Sequence, residues 1–411
     1  MDCNPLVIGS CPPAGRDAGR WTGWPFFQVR LEDLSPAVAA ALGRLIRAAG
    51  GSARPVGRGP TGPARFAAGP ARGPARRGGR AVILDGSGRQ FETALRAARR
   101  LPALRAPAAE LGRTLEQHTA PARRLVLRHG VLDLGREPAV MGILNVTPDS
   151  FSDGGRFAGR RAAVRQALRM AADGARIIDV GAESTRPGSA PVPIAEELRR
   201  LMPVLEALVP AVRRLGPGRP LISVDTYKAE VARRAAAAGA DLINDISGFT
   251  LDPAMPAIVA DTGLPVVIQH LRGRPATMGR PGRYAALLPE IARFLRRQID
   301  LARRAGVHPD RIVVDPGIGF GKRRRDSLAI LRRISLLRGL GRPILVGASR
   351  KSFIGGALEL PVHDRLEGSL AAEALAIAGG ADIIRAHDVR EAVRVVRLCA
   401  AVLRDGSGHG R

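Results

Sequence analysis

The rhythm of hydrophobic and polar positions changes near residue 122. Beyond it, short continuous apolar runs alternate with amphipathic or Ala-rich stretches as far as the end of the chain. The runs are AVMGILNV (139–146), ARIIDVG (175–181), PLISVDT (220–226), ADLINDIS (240–247), LPVVIQH (264–270), RIVVDPG (311–317), RPILVGAS (342–349) and ADIIRAH (381–387). They are too short for helices and rich in Val and Ile, so each predicts a strand, and the stretches between them predict crossover helices. Continuous rather than alternating hydrophobicity belongs to strands covered on both faces, the habit of parallel sheets. Eight such units over about 265 residues predict a (β/α)8 barrel, with an open doubly wound sheet as the alternative. Just before the first run, RRLVLRHGVLDLG predicts a β-hairpin turning at His129–Gly130 and placed to plug the N-terminal end of the barrel.

The N-terminal part follows another pattern, which predicts a small α/β extension over residues 1–121, ahead of a barrel at 122–405 and a tail at 406–411. FFQVRLED predicts a strand, and SPAVAAALGRLIRA a helix capped by Ser35, with Pro36 in its first turn and Gly50–Gly51 ending it. AVILDGSG and RQFETALRAARRL predict a second strand–helix pair, and APAAELGRTLEQH a further helix. Residues 51–80 are rich in Gly, Pro and Arg with almost nothing apolar to bury, so disorder is expected there. The opening MDCNPLVIGSCPP lacks the basic start of a signal peptide and is expected to be a frayed tail.

Composition narrows the function classes. The 411 residues carry 64 Lys+Arg against 37 Asp+Glu, a net charge of +27. Lys228, Lys322 and Lys351 are the only lysines, so the basicity is almost wholly arginine and reads as compositional bias as much as selection for a polyanion. Aromatic residues at 3% argue against a platform for stacking bases, and nucleic acid is not an expected partner. Cys3, Cys11 and Cys399 have no metal-ligand spacing and cannot form a paired disulfide framework, which points to a reducing cytoplasm. No apolar run approaches the ~18 residues of a membrane span, so no membrane is expected as a partner.

Chemistry-bearing residues gather at the C-terminal ends of the predicted strands: Asn145, Glu183, Asp225, Asn244, His270, Asp315, Ser349 with Lys351, and Arg385 with His387. In a barrel these ends share one rim, and a composite active site is the better account of so regular a placement. Carboxylates beside buried strands are costly unless paired, and such donors and acceptors suit a flat heterocycle with a guanidine-like edge. Arg385 and His387, with Arg186, would supply donors to a phosphate group. DPGIGFGK (315–322) is not a phosphate-binding Walker loop, because Arg323 stands where Ser or Thr is needed, and alone it reads as a flexible turn. NVTPDSFSDGGRF (145–157) reads as a long surface turn or as a mobile lid carrying a metal ligand and a substrate contact.

The ordered series MGILNVTPDSFSDGG, GAESTRPG, ISVDTYK, INDISG, QHLRGRPATM, DPGIGFGK, GASRKSFIG and RAHDV resembles the dihydropteroate synthase family, from about residue 124 to 404. The resemblance implies a pterin-binding barrel of folate biosynthesis, a sulfonamide target. Its reaction joins 6-hydroxymethyl-7,8-dihydropterin diphosphate to 4-aminobenzoate and releases diphosphate. Carried over by motif, Asn145 would ligate Mg2+, and Asp225, Asn244, Asp315 and Lys351 would hold the pterin. Thr185, Arg385 and His387 would contact the pterin diphosphate. Phe151, Pro187, Lys351 and Ser352 would frame the aminobenzoate, with Asp153 and Arg186 on closing loops. Lys351, Arg385 and His387 are the expected catalytic residues, with His387 an anion donor or, alternatively, a general base. The family resemblance also implies a homodimer through barrel helices. A pterin-dependent methyltransferase is the alternative within the same fold, and an interaction module is the alternative reading of the N-terminal extension.

Overall fold

The computed structural model describes residues 4–11, 26–56, 80–120, 122–146, 155–185, 188–278 and 282–403. They form two compact units: the described residues of Met1–Pro121 with Tyr284–Arg293 and Leu336–Gly341, and those of Ala122–Arg283, Phe294–Ser335 and Arg342–Arg411.

In the first unit, β1 (Asn4–Cys11), β2 (Phe26–Leu34), β3 (Ser52–Pro55) and β4 (Arg80–Ser87) make an antiparallel sheet in the order β1-β2-β4-β3. The helices α1 (Pro36–Ala48), α2 (Gly88–Arg99) and α3 (Arg105–Thr119) supply the rest of its core, where Phe27, Val29, Leu31, Ile46, Leu84 and Phe91 are buried. Ser35 caps α1 as expected, its hydroxyl accepting from the Val38 N–H. Ser87 and Gln90 close a reciprocal capping box on α2.

Two expectations fail in this unit. Asn4–Cys11 is not frayed but pairs with β2, because its backbone finds a partner strand that local pattern does not reveal. The stretch expected to be disordered opens with strand β3, held on β4 at the sheet edge; Pro55 is tolerated there because an edge strand needs only one side of its ladder. Residues 57–79 lie outside the described residues.

The second unit begins with a hairpin, β5 (Arg124–Val126) and β6 (Val131–Asp133), closed by the Leu127 N–H donating to the Gly130 carbonyl. Eight parallel strands follow: β7 (Ala139–Asn145), β8 (Ile177–Gly181), β9 (Leu221–Asp225), β10 (Leu242–Asp245), β11 (Val266–Gln269), β12 (Ile312–Asp315), β13 (Leu345–Val346) and β14 (Ile383–Ala386). Their order is β12-β11-β10-β9-β8-β7-β14-β13. A parallel bridge from Val314 to Ile344 joins the two ends into a ring. The outer helices are α4 (Gly155–Ala172), α5 (Ile194–Arg213), α6 (Ala229–Ala237), α7 (Met255–Thr262), α8 (Leu287–Arg304), α9 (Arg324–Arg332), α10 (Ser352–Leu358), α11 (Leu366–Ala378) and α12 (Val389–Leu403). The barrel, rather than the open sheet, is therefore the fold, and all eight expected strands are present.

Side chains alternate along each strand, so inward-facing residues stack in layers. The bottom of the barrel is apolar, and one buried cluster includes a residue from each strand: Met141, Ile177, Leu221, Leu242, Val267, Val313, Leu345 and Ile383. Leu125, Leu132 and Leu134 of the hairpin pack on it and plug that end. Two residues further along, the same inward face turns polar.

Candidate active site

Those positions are Asp179, Ser223, Asn244, Gln269, Asp315 and Arg385, each two residues beyond the apolar one on its strand, and Asp225 lies two further along β9. Asp179 and Ser223 are register partners on β8 and β9, as are Asn244 and Asp225 on β10 and β9. Arg385 spans the opening: its Nε donates to Asp179 Oδ2 at 2.7 Å and its Nη2 to Asp225 Oδ2 at 2.8 Å. The Asn244 amide donates to the same Asp179 oxygen at 2.9 Å. Burial drives the Asp225 pKa upward; the Arg385 charge opposes this and the Asp179 charge adds to it.

The mouth keeps unused acceptors. Asp179 Oδ1, Asp225 Oδ1, Asn244 Oδ1 and Ser223 Oγ are buried and receive no hydrogen bond among the described residues. Each such oxygen costs roughly 1–3 kcal/mol, a strain that a ligand offering N–H donors would relieve.

Across the mouth, Asp315 accepts the Gly317 N–H at 2.6 Å, and burial raises its pKa. Lys351 lies 4.5 Å over the Phe320 ring and donates to the Ile318 carbonyl. Burial lowers Lys351 to about 8, against the pull of the Asp315 carboxylate. Three carboxyl side chains and two basic ones thus line the mouth.

The loop DPGIGFGK is packed rather than flexible. A Cβ on Gly317 would stand 2.0 Å from the His270 carbonyl oxygen, and one on Gly321 would stand 2.2 Å from that of Arg272. Positive φ values of 67° and 61° at these positions also require glycine. Buried Lys322 ties the two loops, reaching His270 Nδ1 at 2.9 Å and the carbonyls of His270 and Phe320. Burial and the Lys322 charge hold His270 neutral, with its pKa near 2. His270 thus serves the architecture of the loop. Glu183 does likewise, sharing Lys228 with Glu197 and accepting from the Tyr227 hydroxyl at 2.9 Å.

Of the other expected residues, Asn145 ends β7 and is exposed, Thr185 is half-buried in the loop after β8, and Ser352 opens α10. His387 lies just past β14, where its N–H donates to Ser349 Oγ at 3.2 Å and its Nδ1 lies 3.1 Å from the same atom. Phe151, Asp153, Arg186 and Pro187 lie outside the described residues. One adjustment concerns Arg385, expected as an anion donor. Its Nε and Nη2 are already engaged by carboxylates, which leaves Nη1 for an anion.

The model of the family described as "Pterin binding enzyme" matches residues 141–387. The dihydropteroate synthase of Synechocystis sp. is 46% identical over 275 residues, covering 67% of this chain and 93% of the relative. The chain belongs to the dihydropteroate synthase family. Among solved structures, Xanthomonas albilineans dihydropteroate synthase with 4-aminobenzoic acid shares 42% identity at a TM-score of 0.63, covering 69% of this chain and all of that one. The same organism's enzyme in complex with 7,8-dihydropteroate gives 40% identity and a TM-score of 0.61 over the same shares.

Asp179 is the site residue that sequence reasoning missed. It sits mid-strand in IIDVG, whereas attention went to strand ends. The signal was available: stepping by two back from Gly181 puts Asp179 on the inward face of a dihydropteroate synthase barrel, level with Ser223.

Glu373 on α11 is also buried without a cation, and burial followed by the Asp388 charge lifts it to about 8. An acid whose folded pKa is raised contributes stability that is intact below the unfolded value and lost as pH climbs toward 8. Glu373→Gln should therefore raise Tm by several degrees at pH 8 and barely change it at pH 4. Calorimetry at the two pH values checks this; an equal shift at both would contradict it.

Proposed function

We infer that the chain performs the dihydropteroate synthase reaction, joining 6-hydroxymethyl-7,8-dihydropterin diphosphate to 4-aminobenzoate and releasing diphosphate. The observation that carries this reading is the set of unused buried acceptors on β8, β9 and β10 beside Arg385. A pterin edge offers the parallel N–H donors that such acceptors need. Asp225, Asp179 and Asn244 hold that edge, while Asp315 and Lys351 hold the opposite part of the ring.

Bond breaking is carbon–oxygen cleavage with a good leaving group, so no protein nucleophile is required. In an SN1-like course diphosphate departs first, and positive charge spreads from the methylene into the pterin. Carboxylates of the mouth, when ionised, favour that state in a low-dielectric setting. Arg385 Nη1 and His387 stabilise charge on the departing oxygens. Thr185 and Arg186 contact the phosphates from the β8 loop. Phe151, Pro187, Lys351 and Ser352 frame the aminobenzoate, and closure of the loops bearing Asp153 and Arg186 excludes water from the cation. The aminobenzoate amine is neutral at physiological pH and needs little base assistance. All of these residues fall within 122–405, the part proposed as catalytic.

Magnesium is the proposed cofactor, and Asn145 is the residue placed to meet it. An amide oxygen is a hard ligand that suits Mg2+. When bound, the ion would neutralise diphosphate charge. Asn145→Ala should raise the Mg2+ concentration needed for tight binding of the pterin diphosphate by at least about tenfold. Calorimetric titration at several Mg2+ levels checks this, and an unchanged midpoint removes Asn145 from the metal.

A homodimer is supported by exposed Leu375 on α11 and by Leu398 and Val402 on α12, each at least 60% exposed and separated by helical spacing. A cytoplasmic location is supported by the cysteine usage; among the described residues no helix is long and apolar enough to cross a membrane. The purified chain, given both substrates, should form dihydropteroate and diphosphate in equal amounts and no dihydropteroate without 4-aminobenzoate. A pterin-bound protein that transfers a methyl group instead would replace this reading.

A further inference from the structure

Arg350 occupies a backbone conformation that its side chain makes unfavourable, and three separate contacts hold it there. Its φ is 56°, in the left-handed region where glycine or asparagine would be at ease. Its N–H donates to Ser369 Oγ at 2.9 Å, and its carbonyl accepts from Arg365 Nη1 at 3.1 Å. Its guanidinium grips both oxygens of Asp388, with Nε 3.0 Å from Oδ2 and Nη2 on Oδ1. A strained residue held at its N–H, its carbonyl and its guanidinium is a position whose side chain has a destination that matters.

That destination joins two loops of the site. Arg350 stands between Ser349 and Lys351 after β13, and Asp388 directly follows His387 after β14. The Arg350–Asp388 fork runs beside the second tie, Ser349 to His387. We propose that Arg350 and Asp388 are a positioning pair that sets Lys351 and His387 in register for the transfer reaction. This inference rests on the dihydropteroate synthase reading above. The pair does not touch the substrate; it acts through its neighbours.

The location of the pair separates positioning from folding. The Arg350 side chain is 40% exposed and that of Asp388 18%, and an ion pair whose cation is so open to water adds little to stability. Arg350→Gly also relieves the backbone. The variant should therefore match the wild type in Tm and in affinity for the pterin alone. Its kcat should drop roughly tenfold to a hundredfold, the scale set by an ångström of misplacement at a reacting centre. Asp388→Asn should lose a similar amount, and the double variant no more than either single one. Arg350→Lys should recover only part, since an ammonium cannot fork across both oxygens.

One readout does not depend on turnover. The ring 15N chemical shifts of His387 should move in Arg350→Gly and in Asp388→Asn. Wild-type kcat in Arg350→Gly, losses that multiply in the double variant, losses that track Tm, or unmoved His387 shifts would each overturn the pair. Failure of the wild type to make dihydropteroate would overturn the reaction instead, and the His387 shifts would still judge the positioning.

Discussion

Asp225→Ala is expected to weaken pterin binding by about a hundredfold or more. Asp225 presents one oxygen to Arg385 and one buried oxygen with no donor among the described residues. Removing an ionised acceptor from paired N–H groups costs about 3 kcal/mol, which corresponds to about a hundredfold in affinity. Titration with a pterin alone, followed by calorimetry, isolates this step from metal binding and from aminobenzoate. Burial raises the Asp225 pKa, so its carboxyl takes up a proton more readily than an exposed one. Wild-type pterin affinity should accordingly fall as the medium is acidified, and Asp225→Asn should bind weakly with that pH dependence flattened. Near-normal affinity in Asp225→Ala would remove the residue from the pterin edge. Asp315→Ala should weaken binding to a comparable degree, but it also releases the Gly317 N–H and so tests two things at once.

Arg385→Ala should be more damaging still. The substitution leaves fully buried Asp179 and nearly buried Asp225 facing each other without their shared cation. Breaking a buried ion pair from one side costs about 3–5 kcal/mol, because the remaining charge is neither solvated nor paired. The same change deletes a donor to the departing diphosphate, worth about a hundredfold to a thousandfold in kcat. The two effects separate by pH. Without the cation the Asp225 pKa rises further, so the variant's stability deficit should be small near pH 4 and widen as pH increases. Tm measured from pH 4 to 8 tests the first effect, and steady-state rates at neutral pH test the second. A deficit independent of pH would mean that Arg385 is not what keeps Asp225 charged. Arg385→Lys should recover little, because one ammonium cannot reach both acids as the planar fork does.

Both predictions rest on a feature only half visible along the chain. The rim residues at strand ends, among them Asn145, Asp225, Asn244, Asp315 and Arg385, could be picked out because polar groups interrupt apolar runs at regular places. Asp179 was within reach of the two-residue step along β8, yet a single acid inside IIDVG looks like a local exception until the strand is set beside its neighbour. His270 and Glu183 erred the other way. They stand at strand ends like the others, yet each is taken up by a lysine, Lys322 or Lys228, brought close by a different loop.

By itself the chain determined the eight strands, their helices, the plugging hairpin and the family. These follow from local periodicity and from motifs whose residues are near neighbours in sequence. Only the tertiary structure decided that β1 and β3 belong to a sheet, that the glycines of DPGIGFGK are locked against the His270 and Arg272 carbonyls, and that Arg385 bridges two acids. The reason is physical: strand pairing, close backbone approach and charge neutralisation depend on distances between residues far apart in sequence, such as Asp179 and Arg385, 206 positions apart. No local pattern encodes such distances before the barrel has closed.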